Sequence, residues 1–241
     1  MNETAISACG LTKAFGERTV VSGLSFEVAK GEVFALLGHN GAGKSTTIDL
    51  ILGLKKPDSG SALILGMNAS SERRKVFERV GVQLQSTDYQ SSITVEEACI
   101  EYSSLYRNPT DTDSLLRQFG LQKLKKNRIS KLSGGERQKL SVVLALIGRP
   151  EVVFLDELTT GLDVAARREV WNTLKKLKAE GLTILLTTHY MEEAEELCDR
   201  VCIIKSGRKV CEGTVDEIVK ASGRNNLEEA YLCYMGEEEL I

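Results

Sequence analysis

The chain has 241 residues, a formal net charge of −3, 42% apolar residues and 27% charged residues. This composition is typical of a globular protein and excludes a disordered or fibrous chain. No apolar run approaches the roughly 18–20 residues that a membrane-spanning helix needs, and the first residues lack the pattern of a secretory signal. We therefore expect a cytosolic protein, and the lack of a basic excess argues against a nucleic-acid partner.

Short apolar segments separated by helical patterns run through most of the chain. An alternating segment at 24–28 predicts a half-exposed strand, whereas continuous apolar segments predict buried strands. The continuous segments are 33–37, 80–84, 152–155, 183–187 and 201–204. Buried strands that alternate with helices are typical of a parallel sheet covered on both faces, so the sequence predicts an α/β fold.

Two parts of the chain depart from this alternation. Residues from about 94 to 148 favour helices with polar connectors, starting at the capping box of Thr94 and Glu97, and we expect them to form an insertion. A last helix is expected after Thr214, and residues 224–241 then carry five glutamates and one arginine. This acidic tail either contacts a partner or is simply solvated, and the sequence favours the solvated end.

A glycine-rich loop follows the apolar segment 33–37 and precedes a helical pattern. It fits G-x-x-x-x-G-K-[ST], and its residues are Gly38, His39, Asn40, Gly41, Ala42, Gly43, Lys44 and Ser45, followed by Thr46. Glycines let the backbone turn several N–H groups toward an anion, and the helix N-terminus adds further donors. We expect Lys44 to reach the β- and γ-phosphates of a nucleotide and the Ser45 hydroxyl to bind magnesium.

A pair of carboxylates follows the apolar segment 152–155. Asp156, at the tip of the predicted strand, is expected to hold the magnesium ion through water. Glu157 is expected to lie beyond the γ-phosphate and to polarise the attacking water. With one carboxylate for the metal and one for the water, the pattern predicts hydrolysis of a nucleoside triphosphate.

Residues 132–138 have the sequence Leu-Ser-Gly-Gly-Glu-Arg-Gln. Ser133 and Glu136 fit a capping box at the start of a helix, which accounts for these two residues. A cap does not require the adjacent Gly134 and Gly135. Exposed N–H groups at this helix start predict a second anion site.

These motifs and their order resemble the ABC transporter ATPase family over roughly residues 5 to 220. The segments 185–195 and 199–214 are similar to bacterial cassettes of the drug-resistance exporter type. Relatives often have proline where this chain has His39, Leu84 and Leu158. Leu158 leaves the turn after Glu157 less constrained than a proline would.

The resemblance assigns roles to further residues. Gln85, in preference to Gln83, matches the Q-loop glutamine that helps to place magnesium, and His189 matches the switch histidine that contacts the γ-phosphate. Asp163 matches the D-loop, and Phe15 matches the aromatic residue that stacks on adenine. Structural explanations stay open for three of them: a strand-end polar residue at 189, a helix cap at 163 and a core side chain at 15.

The resemblance also implies a P-loop NTPase fold with three parts. A RecA-like core with a parallel sheet would span 1–85 and 150–223 and would include an antiparallel β subdomain. A helical subdomain with the signature would be inserted at 86–149. Together these parts form an ATPase domain over 1–223, and the acidic tail covers 224–241.

The implied reaction is hydrolysis of ATP with Mg²⁺ as cofactor. Ser45, Gln85 and Asp156 would place the metal, and Glu157 and His189 would be the catalytic residues. The family forms a head-to-tail dimer on ATP binding, in which each ATP would lie between one phosphate loop and the partner's signature. The signature residues are Ser133, Gly134, Gly135 and Glu136.

The biological role implied is to drive a separate membrane permease from the inner face of the cell membrane. Similarity to the exporter type favours export of drugs, lipids or other amphipathic molecules. Two alternatives remain, because the catalytic motifs do not encode direction: an importer cassette, and a non-transport ATPase that acts on ribosomes or DNA.

Overall fold

The chain forms two sheets and a set of helices, which a computed structural model describes for residues 3–84 and 92–236. The strands are β1 (Thr4–Phe15), β2 (Arg18–Ala29), β3 (Val33–Leu37), β4 (Ser59–Ile64), β5 (Val80–Gln83), β6 (Val152–Asp156), β7 (Thr183–Thr188), β8 (Arg200–Lys205) and β9 (Arg208–Gly213). The helices are α1 (Lys44–Ile51), α2 (Arg73–Phe77), α3 (Val95–Ser103), α4 (Thr112–Gln118), α5 (Gly134–Leu146), α6 (Val164–Ala179), α7 (Met191–Leu197), α8 (Val215–Ser222) and α9 (Leu227–Met235). Among the helices of these described residues, none has the length and apolarity needed to cross a bilayer.

The smaller sheet is antiparallel and has the strand order β2-β1-β4. The alternation predicted at 24–28 is confirmed within β2, where Leu24, Phe26 and Val28 are buried and the residues between them are exposed. These buried side chains pack against one face of the larger sheet. The smaller sheet therefore covers that face, as the alternating pattern requires.

The larger sheet has the order β5-β6-β7-β3-β8-β9. Strands β5 to β8 are parallel, and β9 pairs with β8 in the antiparallel sense. Along β3, Val33, Ala35 and Leu37 face one core cluster, while Phe34 and Leu36 face the other. Both faces of the strand are buried, which explains why its sequence is apolar without alternation.

Helices α3, α4 and α5 lie in the chain segment between β5 and β6. Thr94 and Ser133 cap α3 and α5 through the two predicted capping boxes. The buried faces of these helices join the core cluster on the side of the larger sheet opposite the antiparallel sheet. The insertion thus leaves the N-terminus of α5 at the surface, with Ser133 exposed.

The prediction of a solvated acidic tail at 224–241 is wrong for its described part. Asn226 caps α9 by accepting a hydrogen bond from the Glu229 backbone N–H, and the helix packs on α7 and α8. Leu227, Ala230 and Met235 are buried in the core. Their helical spacing creates an apolar face, which the charge count of the segment conceals.

Candidate active site

The phosphate loop joins the carboxyl end of β3 to the start of α1, as the sequence predicts. Gly43 has a φ of 105°, and a Cβ there would lie 2.6 Å from the Val20 carbonyl oxygen, so only glycine fits. No side chain caps α1, and the first-turn N–H groups of Lys44, Ser45 and Thr46 have no intrahelical partner. These N–H groups form an anion site at a helix N-terminus.

Lys44 provides the positive charge of this site. Its Nζ donates hydrogen bonds to the carbonyl oxygens of Gly38 (2.7 Å) and His39 (3.1 Å), so the ammonium is held over the loop. Glu157 lies 3.5 Å away. Burial lowers the pKa of Lys44, and the Glu157 carboxylate partly opposes this effect.

Asp156 ends β6 and faces the start of α1. The Ser45 hydroxyl donates to Asp156 Oδ1 at 3.1 Å, and the Thr187 hydroxyl donates to the same oxygen. Burial raises the pKa of Asp156, although both hydrogen bonds favour its ionised form. Hydroxyl and carboxylate oxygens at this spacing suit Mg²⁺, and a cation would compensate the buried charge. The predicted ligand Gln85 lies outside the described residues.

Glu157 lies between two other predicted site residues. Its carboxylate Oε1 is 3.5 Å from Lys44 Nζ and 3.6 Å from His189 Nδ1. The Glu157 backbone has a φ of 50°, and its N–H donates to the Thr187 backbone oxygen and hydroxyl. A left-handed conformation is uncommon for a residue with a side chain, so the loop holds this carboxylate in a specific orientation.

An open cleft of about 420 Å³ lies above the phosphate loop. Its lining residues are Arg18, Val20, Asn40, Gly41, Gly43, Lys44, Ser45, Thr46 and Glu157. His39 is exposed, and its Nδ1 lies 2.7 Å from the Asn40 carbonyl oxygen. Ala42 is buried beneath the loop. The cleft thus combines a cation, backbone N–H donors and a carboxylate, and this combination suits a nucleoside triphosphate.

The remaining predicted site residues do not line this cleft. Phe15 is 46% exposed at the end of β1, and the ammonium groups of Lys13 and Lys55 lie 5.7 and 5.6 Å from its ring centroid. Its role in adenine stacking stays a prediction. Asp163 caps α6 by accepting from the Ala166 N–H at 2.8 Å.

The predicted signature residues lie outside the lining of this cleft. Ser133 accepts from the Glu136 N–H at 3.2 Å, and Glu136 accepts from the Ser133 N–H at 2.7 Å. Ser133 and Gly134 are exposed, and Gly135 is half-buried. The exposed helix start is available to a ligand outside the cleft.

Sequence reasoning missed two residues at the cleft and placed a third second to its neighbour. Thr187 holds both Asp156 and the Glu157 backbone, but a threonine ending an apolar strand gave no signal. Gln83, the less favoured Q-loop candidate, is buried, and its Nε2 donates to the backbone oxygens of Leu84 (2.8 Å) and Asp156 (3.4 Å). Arg18 lines the cleft from β2, which no local pattern connects to the phosphate loop.

The fold and this cleft define a P-loop ATPase. The model of the ABC transporter family matches residues 21–160, and the chain belongs to this family. ABC cassettes hydrolyse ATP to drive transport, and this chain is an ATP-hydrolysing cassette of that kind. The P-loop NTPase fold with an antiparallel sheet and inserted helices is thereby confirmed.

Proteins of known sequence or structure align with nearly the whole chain. A Nod factor export ATP-binding protein I from Bradyrhizobium diazoefficiens (strain JCM 10833 / BCRC 13528 / IAM 13628 / NBRC 14792 / USDA 110) is 42% identical over 96% of this chain and 77% of its own length. One from Rhizobium sp. (strain N33) is 41% identical over 91% and 74%. A solved structure described as the ATP-binding subunit of an ABC transporter is 30% identical, with a TM-score of 0.88 over 96% of this chain and 100% of that one.

Proposed function

We propose that this cassette hydrolyses ATP with Mg²⁺ in the cleft above the phosphate loop and thereby drives export through a separate membrane permease. The observation that carries the proposal is the convergence of five side chains from three motifs. The five are Lys44, Ser45, Asp156, Glu157 and His189. Their donor and acceptor groups match the demands of phosphoryl transfer to water.

Ser45 and Asp156, together with Gln85, would hold Mg²⁺. The metal would neutralise charge on the β- and γ-phosphate oxygens. The N–H groups of the phosphate loop and Lys44 bind the same phosphates, so the chain stabilises negative charge from two sides.

Glu157 is the group that orients the attacking water and accepts its proton. Lys44 is the positively charged neighbour of Glu157. His189 lies near enough to bind the same water or to contact the γ-phosphate. Low exposure of Glu157, 8%, keeps bulk water away from this carboxylate.

The signature supports a dimer as the hydrolytic unit. Ser133 and Gly134 at this helix start are exposed and lie outside the lining of the cleft, which supports an anion site there for a ligand brought by a second copy. An ATP held between one cleft and the Ser133 of a partner would join two copies, and hydrolysis would remove this link. In that dimer Asp163 would lie at the interface, and Phe15 would stack on adenine.

Export is supported by the relatives whose names describe export of Nod factors. We infer that the cargo is a drug, a lipid or another amphipathic molecule and that the permease binds it. Docking on the permease would bring the chain to the inner face of the membrane. We also infer that helices α3 to α5 form the helical subdomain that carries the signature.

Substitution of Glu157 by Gln tests the reaction. The variant removes the proton acceptor but keeps the size of the side chain, so ATP binding should persist while hydrolysis falls at least about a hundredfold. On sizing chromatography with ATP and Mg²⁺, it should elute as a dimer, whereas the protein without nucleotide should not.

A matched control is Glu180→Gln. Glu180 is exposed at the end of α6, just before the start of β7, and so at the edge of the sheet away from the cleft. Hydrolysis by Glu157→Gln at the rate of this control would refute the catalytic role. A variant that binds ATP without hydrolysis yet stays monomeric would refute the dimer as an autonomous unit.

A further inference from the structure

Glu193 is a buried carboxylate that the cleft described above does not use. It lies on α7, four residues after His189, and its exposure is 0%, the lowest of any described acidic residue. A buried carboxylate is unfavourable unless several groups bind it, and an apolar side chain in its place is often no less stable. Its contacts therefore indicate what it does.

The contacts of Glu193 come from three different elements. Trp171 on α6 donates its indole N–H to Glu193 Oε1 at 3.2 Å. The hydroxyls of Thr159 and Thr188 lie beside the carboxylate and favour its ionised form, although burial raises its pKa overall. Thr159 is two residues after Glu157, and Thr188 immediately precedes His189, so one carboxylate adjoins both catalytic loops.

Several polar atoms around Glu193 make no hydrogen bond within the part of the chain that the structure describes. Within the described residues, Glu193 Oε2, Thr159 Oγ1 and Arg167 Nε are buried and complete no hydrogen bond. The Arg167 guanidinium lies 4.7 Å from the Tyr190 ring centroid and 6.0 Å from that of Trp171. The positive charge of Arg167 further favours the ionised form of Glu193. Burying polar groups with few completed hydrogen bonds costs stability, so stability alone does not account for this cluster.

We propose that Glu193 is a positioning residue that holds the Glu157 loop and the His189 loop in one mutual arrangement. It acts through Thr159 on the first loop and through Thr188 on the second, while Trp171 fixes the carboxylate to α6. The proposal rests on the proposed catalytic roles of Glu157 and His189. The 3.6 Å approach of those two side chains depends on both loops, and the loops share no other fully buried carboxylate among the described residues.

Glu193→Gln tests this role, because it replaces one carboxyl oxygen by an amide nitrogen and keeps an acceptor oxygen for Trp171. We expect kcat to fall about tenfold while the KM for ATP stays within about twofold, because the phosphate loop is untouched. The control is Glu196→Gln on the same helix, where Glu196 is exposed and pairs with Lys175. It should match the wild type in both constants.

Two further readouts separate positioning from stability. Trp171 is the single tryptophan of the chain, so its emission spectrum should change in Glu193→Gln because the group bonded to the indole N–H changes. Thermal melting gives the folded fraction. A lower melting temperature with a wild-type kcat per folded molecule would overturn the proposal, as would a fall in kcat no larger than that of Glu196→Gln.

Should Glu193→Gln not fold, Trp171→Phe and Thr159→Val decide the matter. Each removes one donor beside the carboxylate, and we expect each to lower kcat about threefold with KM unchanged. Wild-type kcat in both would overturn the proposal. The proposed reaction is tested separately: Glu157→Gln without loss of hydrolysis refutes that reaction, whereas its inactivity together with an active Glu193→Gln refutes only the positioning role.

Discussion

The phosphate cleft and the signature helix differ in how much of a site one chain completes. In the cleft, side chains from α1, the end of β6 and the loop after β7 lie close together, with Lys44, Asp156 and Glu157 each less than 10% exposed. At the start of α5, Ser133 and Glu136 cap the helix through each other's side chains, and Ser133 and Gly134 are exposed. A helix start that is capped but otherwise unoccupied is suited to a ligand brought by another molecule.

The largest effect is expected from Ser133→Asp, which tests the signature side of this comparison. Aspartate caps a helix as well as serine does, so the free energy of unfolding should stay within about 0.5 kcal/mol. Its carboxylate would repel a phosphate, so hydrolysis should fall about a hundredfold. ATP binding to the monomer should be unchanged, because Ser133 does not line the cleft.

Thr94→Asp is the matched control for that variant, because Thr94 forms the same capping box at the start of α3. Steady-state ATPase assays, ATP titration and chemical denaturation provide the three measurements. A Ser133→Asp protein that hydrolyses ATP at the rate of Thr94→Asp would mean that no phosphate approaches the signature.

An intermediate effect is expected from Thr187→Val, which tests the cleft side of the comparison. Valine preserves the shape of the fully buried threonine but removes the hydroxyl that holds Asp156 and the Glu157 N–H. The catalytic rate should fall about tenfold, and stability should fall by about 1–2 kcal/mol. Thr187→Ser keeps the hydroxyl and should retain most of the rate in the same ATPase assay. Equal rates in the two variants would contradict a positioning role for this hydroxyl.

The smallest effect is a pH dependence of Mg²⁺ binding at Asp156. Burial raises the pKa of this carboxyl, and Mg²⁺ binds the ionised form, so protons compete with the metal at a higher pH than at an exposed aspartate. As the pH falls from about 7.5 to about 5, Mg²⁺ affinity should decrease several-fold in titrations with a non-hydrolysable ATP analogue. Asp156→Asn should bind the metal weakly and without this pH dependence. The same slope in both proteins would exclude Asp156 as the titrating group.

Local sequence patterns predicted the elements that carry their own signal. The capping boxes at Thr94, Ser133 and Thr214 begin helices as expected, because the cap and its acceptor lie within one turn. The buried strands were equally clear, since a run of apolar residues between turn signals has few alternative explanations.

The predictions that failed depend on contacts between residues that are far apart in the sequence. The solvated end predicted after Arg224 is wrong because the apolar face of this segment is buried only through its contact with α7 and α8. Arg18 and Thr187 belong to the cleft only because β2 and β7 are brought beside the phosphate loop.

The sequence alone determined the chemistry of the chain: a phosphate loop, two carboxylates and a signature helix start, each readable because its function needs fixed residues at fixed spacing. The tertiary structure decided which of these groups meet. The strand order β5-β6-β7-β3-β8-β9 places β7 between β3 and β6, so the carboxyl ends of the three strands meet at one edge and Glu157 lies within 3.6 Å of both Lys44 and His189. It also left Ser133 outside that cluster and buried Glu193 beneath it, because contacts between strands distant in sequence depend on packing of the whole core and not on local spacing.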